Sequence, residues 1–170
     1  MNIHPFLRTI CECDEWREQG VSIHPFLRTV CECDECRAHC MIHPGPLAPI
    51  DVPRLAEHLG ISEEQLVDEH LTEGRGATMY NRRTGMTSTV HTLVPRRGDD
   101  GSCHWLKDGL CSVHPVAPFG CAYFDAHMSD AEAQSRSVYL HAYLLARDDH
   151  YLEMVARAAE RKLAEDCNAK

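Results

Sequence analysis

The sequence has no run approaching the roughly 20 apolar residues that a bilayer-crossing helix needs, so no membrane span is expected. Its start, MNIHPFLRTICECDE, has neither the basic leading region nor the apolar core of a secretory signal, and a cytoplasmic location is the expectation. Positive charge is also short: 17 Lys and Arg stand against 26 Asp and Glu, a net charge of −9 with histidine neutral. A surface built to neutralise a phosphate backbone needs the opposite balance, so nucleic acid is not an expected partner. Nucleotide-binding loops are missing as well. The glycines at 74, 76 and 85 have no strand-to-helix setting of the kind that phosphate-cradling and dinucleotide motifs require.

Cysteine is what the chain has in excess. Ten occur in 170 residues, at 11, 13, 31, 33, 36, 40, 103, 111, 121 and 167. In a reducing compartment, clustered cysteines are more often metal ligands or redox groups than structural bridges. Twelve histidines add nitrogen donors. A chain of this length fits one domain with a modest core, so a single site is sought.

The first forty residues hold a direct repeat: IHPFLRTICECDE at 3–15 recurs as IHPFLRTVCECDE at 23–35. The copies part where ligands would stand, because Trp16 and Gly20 occupy the places of Cys36 and Cys40. Cys11 and Cys13 alone cannot fill a four-coordinate site, which makes the first copy a redundant duplication. After the turn HPGPLAP, Asp51 is expected to cap a helix that carries Pro53, Leu55, Ala56 and Leu59 and ends at Gly60. Ser62 and Gln65 form a capping box for a second helix bearing Leu66, Val67, His70 and Leu71. The pair resembles a helix-turn-helix, yet SEEQLVDEH would turn carboxylates toward a phosphate-lined groove.

Farther on, TSTVHTLVP is the best strand candidate. Short strands are expected around His104–Leu106 and Leu110–Val113, joined by a turn at Lys107, Asp108 and Gly109. From Ser129, which makes a capping box with Glu132, apolar residues recur at helical spacing through Val138, Leu144, Leu145, Leu152, Val155, Ala159 and Leu163. This reads as a long helix, or a pair broken near Asp148 and Asp149. Tyr139, Tyr143 and Tyr151 are expected to pack at its core and edges.

Two segments carry the chemistry: CDECRAHC at 33–40 and CHWLKDGLCSVHPVAPFGC at 103–121. Cys33, Cys36, His39 and Cys40 have the tight spacing that lets neighbouring donors reach one ion, with thiolates at about 2.3 Å from zinc. Cys103, Cys111 and Cys121 are spaced too widely for a zinc finger, so their geometry must come from the fold. Cys31 competes with Cys33 for the first position. His104, His114 and His127 lie beside or near the later cysteines, as extra ligands or as donors behind them.

These residues resemble the YkgJ-type cysteine-cluster family, described as zinc- or iron-chelating, whose signature is Cys-x2-Cys-x2-Cys-Cys followed by three later cysteines. The resemblance spans roughly residues 31–125. Cys111, Val113, Pro118 and Cys121 keep the family's later frame, whereas His39 stands for the third signature cysteine and Ala117 and Ala122 stand where arginines are usual. It implies a metal site made by Cys33, Cys36, His39, Cys40, Cys103, Cys111 and Cys121. Related clusters look like those of flagellin lysine methylases.

Six sulfurs and one imidazole exceed the four donors of a tetrahedral zinc and suit an iron–sulfur cluster or iron, with zinc as the alternative. The expected architecture is α+β, mostly helical with a small antiparallel β element, organised around that site. Residues 1–22 are the duplicated segment, 23–128 the metal-binding domain and 129–170 a helical region packing on it. Three functions stay open: a metal-binding protein, an iron-dependent redox or modification enzyme, and a zinc-stabilised adaptor that meets a protein partner through its acidic surface. Nothing marks one cysteine as a nucleophile, and Cys167 reads as an exposed bystander.

Overall fold

The computed structural model describes residues 38, 40–42, 44–81, 84–122, 129, 131 and 147–168. The duplicated segments at 3–15 and 23–35 lie outside them, as do Glu132 of the expected capping box, Val138, Leu144, Leu145, Tyr139 and Tyr143.

Helix α1 (Asp51–Leu59) buries Val52, Leu55 and Ala56 on one face, as the apolar spacing requires. Gly60 ends it at φ 68°, with its N–H turned back to the carbonyls of Ala56 and Glu57. The cap expectation is corrected: Ile50 is the N-cap residue and Asp51 the first helical one. The Asp51 carboxylate has a different task. Oδ2 accepts the N–H of Ala48 and that of Phe119, each at 2.8 Å, and Oδ1 accepts Arg54 Nη1 at 2.9 Å.

Ser62 and Gln65 make the expected reciprocal capping box at 3.1 Å in both directions, opening the short α2 (Glu63–Gln65). The second helix is shorter than its pattern suggests. The chain widens into a π-helical turn, Leu66–His70, and Leu71 already belongs to a strand. That turn buries the adjacent Leu66 and Val67 together, and Arg96 donates to the carbonyl of Asp68 at 3.2 Å.

Strands β1 (Leu71–Asn81) and β2 (Met86–Pro95) form an antiparallel hairpin, with Leu71 opposite Pro95 and Asn81 opposite Met86. The register slips between Arg75 and Thr78, where residues 76 and 77 of β1 oppose one residue of its partner, a β-bulge. Strand β2 contains the TSTVHTLVP segment. Strands β3 (Leu106–Lys107) and β4 (Leu110–Cys111) make a second antiparallel pair, shorter than the spans expected from sequence. Their turn uses Asp108 at φ 50° and Gly109 at φ 75°, the left-handed pair that a two-residue hairpin turn needs.

A 3-10 turn (His114–Val116) and the short α3 (Phe119–Ala122) follow, and α4 (Asp149–Asn168) lies across the hairpin. Tyr151, Val155 and Ala158 are its buried face. Arg161 Nη2 donates to the carbonyl of Leu71 at 2.6 Å and Lys162 Nζ to that of Glu73 at 3.0 Å, pinning the start of β1. Tyr151, Leu47, Leu55, Leu66, Leu93, Trp105 and Val113 centre one core shared by these elements. The fold is thus α+β, helices with two small antiparallel sheets. Among the described residues no helix is long and apolar enough to cross a membrane.

Candidate functional site

Cys40 stands at the start of the segment that leads into the core, half-buried against it. Its carbonyl accepts the N–H of Cys103 at 2.8 Å, so two cysteines far apart in sequence share a backbone hydrogen bond. Cys103 is buried within the core itself, only 5% exposed. Burial pushes its thiol up to about 11, and the neighbouring Cys111 and Cys40 push in the same direction by like-charge repulsion. Cys111 is half-buried on β4, facing Leu106 across the ladder, and the N–H of Leu106 returns to the carbonyl of Cys103 at 2.8 Å. The β3–β4 turn therefore folds Cys111 back beside Cys103.

Cys121 reaches the same leading segment by another route. Gly45 and Gly120 cross backbone on backbone: a Cβ at Gly45 would lie 2.1 Å from the Gly120 carbonyl carbon, and one at Gly120 would lie 2.3 Å from the Pro46 oxygen. Only glycine permits that approach. The N–H of Gly120 donates to the Pro46 carbonyl at 2.9 Å, and the N–H of Gly45 donates to Cys121 Sγ at 3.2 Å.

Cys40 is thus joined to Cys103, and Gly45 to Cys121. Cys33, Cys36, His39 and His127 lie outside the described residues. Among the described residues no three His, Cys, Asp or Glu side chains form a metal-ligating group, and no disulfide joins any two of the cysteines. Cys167 is exposed near the end of α4, as expected.

His104 is not an isolated loop histidine. His70 Nδ1 and His104 Nε2 are 2.6 Å apart, and both rings lie beside Trp105, with His70 stacked at a centroid distance of 6.2 Å. Burial lowers the His104 pKa, and the neighbouring His70, Lys107 and Arg96 lower it further. His114 opens the 3-10 turn. Sequence reasoning missed His70 as a partner of His104, since nothing in the spacing of a short helix and a distant loop joins them. It also missed Gly45 and Gly120, although a glycine directly before Cys121 was a usable cue to close backbone approach.

No protein-family model, curated protein or solved structure matches this chain. The resemblance to the cysteine-cluster family therefore rests on the residues of the sequence alone.

Cys40 and Cys103 share a backbone hydrogen bond, Cys111 lies across the short ladder from Leu106, and the Gly45 N–H aimed at Cys121 is the kind of contact that stabilises a thiolate ligand.

Proposed function

We propose that this chain is a metal-binding protein that chelates iron, as an iron–sulfur cluster, or zinc through Cys33, Cys36, His39 and Cys40 together with Cys103, Cys111 and Cys121. The observation that supports the reading is the hydrogen bonding of Cys40 and Gly45 to two of the three later cysteines, through the Cys40 carbonyl to the Cys103 N–H and the Gly45 N–H to Cys121 Sγ. Cys40, the last residue of the early pattern, is thereby held against Cys103.

The bound metal would supply charge compensation for several thiolates at once, and iron would add one-electron redox chemistry. The chain's own contribution is to hold the sulfurs. Burial keeps water from Cys103, the Gly45 amide orients Cys121, and the His70–His104 pair with Trp105 walls the side next to Cys103. Because ligands from distant parts of the chain close a long loop, metal and fold should be lost together.

The test is anaerobic purification with a visible spectrum and iron, zinc and sulfide analysis on one sample. Iron with matching acid-labile sulfide, or stoichiometric zinc without colour, supports the reading. A folded, fully reduced chain that contains neither metal and takes up neither on titration defeats it.

A further inference from the structure

A second feature lies away from the cysteines, where the end of α4 meets the open side of the hairpin. A cleft of about 540 Å³ is lined there by six ionisable groups: Arg75, Arg96, Arg97 and Lys162 against Glu73 and Glu165. Both carboxylates already have cationic partners. Glu73 Oε2 is 3.0 Å from Lys162 Nζ, and its other oxygen is 2.5 Å from His91 Nδ1. Glu165 pairs with Arg96 and lies 3.7 Å from Arg161 Nε.

Two guanidinium charges are left over. Arg97 donates to the carbonyls of Gly101 at 2.9 Å and Ile42 at 2.5 Å, neutral acceptors that fix its plane and leave its charge uncompensated. Arg75 is exposed, and its guanidinium makes no hydrogen bond or ion pair with any described residue. An excess of two positive charges in one concave site runs against the chain's net charge of −9. Guanidinium groups present planar forks of donors that match carboxylate and phosphate oxygens, and the cleft has the volume of an ordinary small-molecule site.

We propose that this cleft binds a small anionic metabolite carrying carboxylate or phosphate groups, with Arg75 and Arg97 as its principal contacts. Arg97 is the pre-oriented donor, and Arg75 closes on the ligand from the bulged strand. Pro44 and Pro95 give the cleft a rigid apolar wall for the ligand's carbon skeleton.

The test is calorimetric titration of the full chain, as purified, with succinate and separately with inorganic phosphate at low ionic strength. Either probe should bind with a dissociation constant below about 1 mM, and the Arg75→Ala/Arg97→Ala double variant should weaken it about tenfold or more. Succinate binding alone identifies a carboxylate ligand, and phosphate binding alone a phosphorylated one. Failure of both probes at about 10 mM, a level far above any specific small-ligand affinity, overturns the proposal. So does binding that the variant leaves unchanged. If the double variant melts lower than wild type, Arg75→Ala alone carries the test, because that side chain holds no described part of the fold, and the loss of affinity must persist.

Discussion

The N–H of Gly45 donates to Cys121 Sγ at 3.2 Å across 76 positions of sequence. That contact exists because Gly45 and Gly120 have no side chains where their backbones cross. A methyl at either position meets backbone atoms, which cannot rotate away. Gly45→Ala and Gly120→Ala should each cost about 3 kcal/mol or more, at the upper end of overpacking penalties, and should lower metal content in parallel. Urea unfolding and metal analysis of the two variants check this. A Gly45→Ala protein with wild-type midpoint and wild-type metal would remove the crossing as the device that positions Cys121.

Asp51 is the buried hinge between α1 and α3, since one carboxylate oxygen holds the N–H groups of both Ala48 and Phe119. Asp51→Ala leaves two buried donors unsatisfied and should destabilise by about 2–5 kcal/mol. The same group sets a pH dependence. Burial raises its pKa from 3.8 to about 6, outweighing the hydrogen bonds from Phe119 and Ala48 and the charge of Arg54, all of which lower it. Between those values the folded state binds the proton that the unfolded chain has released. Stability from this group is therefore present in full below pH 4 and falls as pH rises to about 6, by about 3 kcal/mol, then levels off. Unfolding midpoints for wild type and Asp51→Asn from pH 4 to 7 separate this effect from other titrations. Parallel curves for the two proteins would contradict it.

Local signals in the sequence proved readable, and non-local ones did not. Gly60, the Ser62–Gln65 box and the Asp108–Gly109 turn depend only on neighbours a few residues away, so their residue types announce them. Strand β1 has no such signature. Gly74, Arg75 and Gly76 weaken any strand pattern, and the strand exists because β2 pairs with it and Arg161 and Lys162 hold its carbonyls. The cap was assigned to Asp51, one position later than the Ile50 that holds it, and the carboxylate's inward partner Phe119, 68 residues away, could not be read from local spacing. At the site, the cysteines were visible as candidates. The contacts of Cys40 with Cys103 and of Gly45 with Cys121 were not, since they depend on partners more than sixty residues away and on a glycine crossing.

Tyr151 joins α4 to the hairpin through one hydroxyl. It donates to the Leu47 carbonyl at 2.6 Å, accepts the N–H of Leu93 at 3.2 Å and touches Thr92 Oγ1 at 2.6 Å. Tyr151→Phe keeps the ring but takes the acceptor from the buried Leu93 N–H, while Thr92 Oγ1 still donates to the Leu47 carbonyl at 3.0 Å, so it should cost about 1–3 kcal/mol by denaturant unfolding. A loss below about 0.5 kcal/mol, the range of ordinary surface changes, would mean that water or a shifted Thr92 replaces the hydroxyl.

Cys167 offers the control for the metal reading. It is as much a thiol as Cys40 or Cys111, yet it sits exposed on α4 and away from the core, whereas those two are half-buried against it. If metal is held by clustered cysteines, Cys167→Ser should retain full metal stoichiometry and melt with wild type. Cys40→Ser and Cys111→Ser should lose metal and stability together, by several kcal/mol, because a metal that binds only the folded state contributes its binding energy to folding. Treating wild type with a chelator under reducing conditions should reproduce the two variants' melting behaviour and leave the chelated variants unchanged. Loss of metal in all three variants alike would mean that the metal is held by scattered surface thiols, and the cysteine-cluster assignment would fall with it.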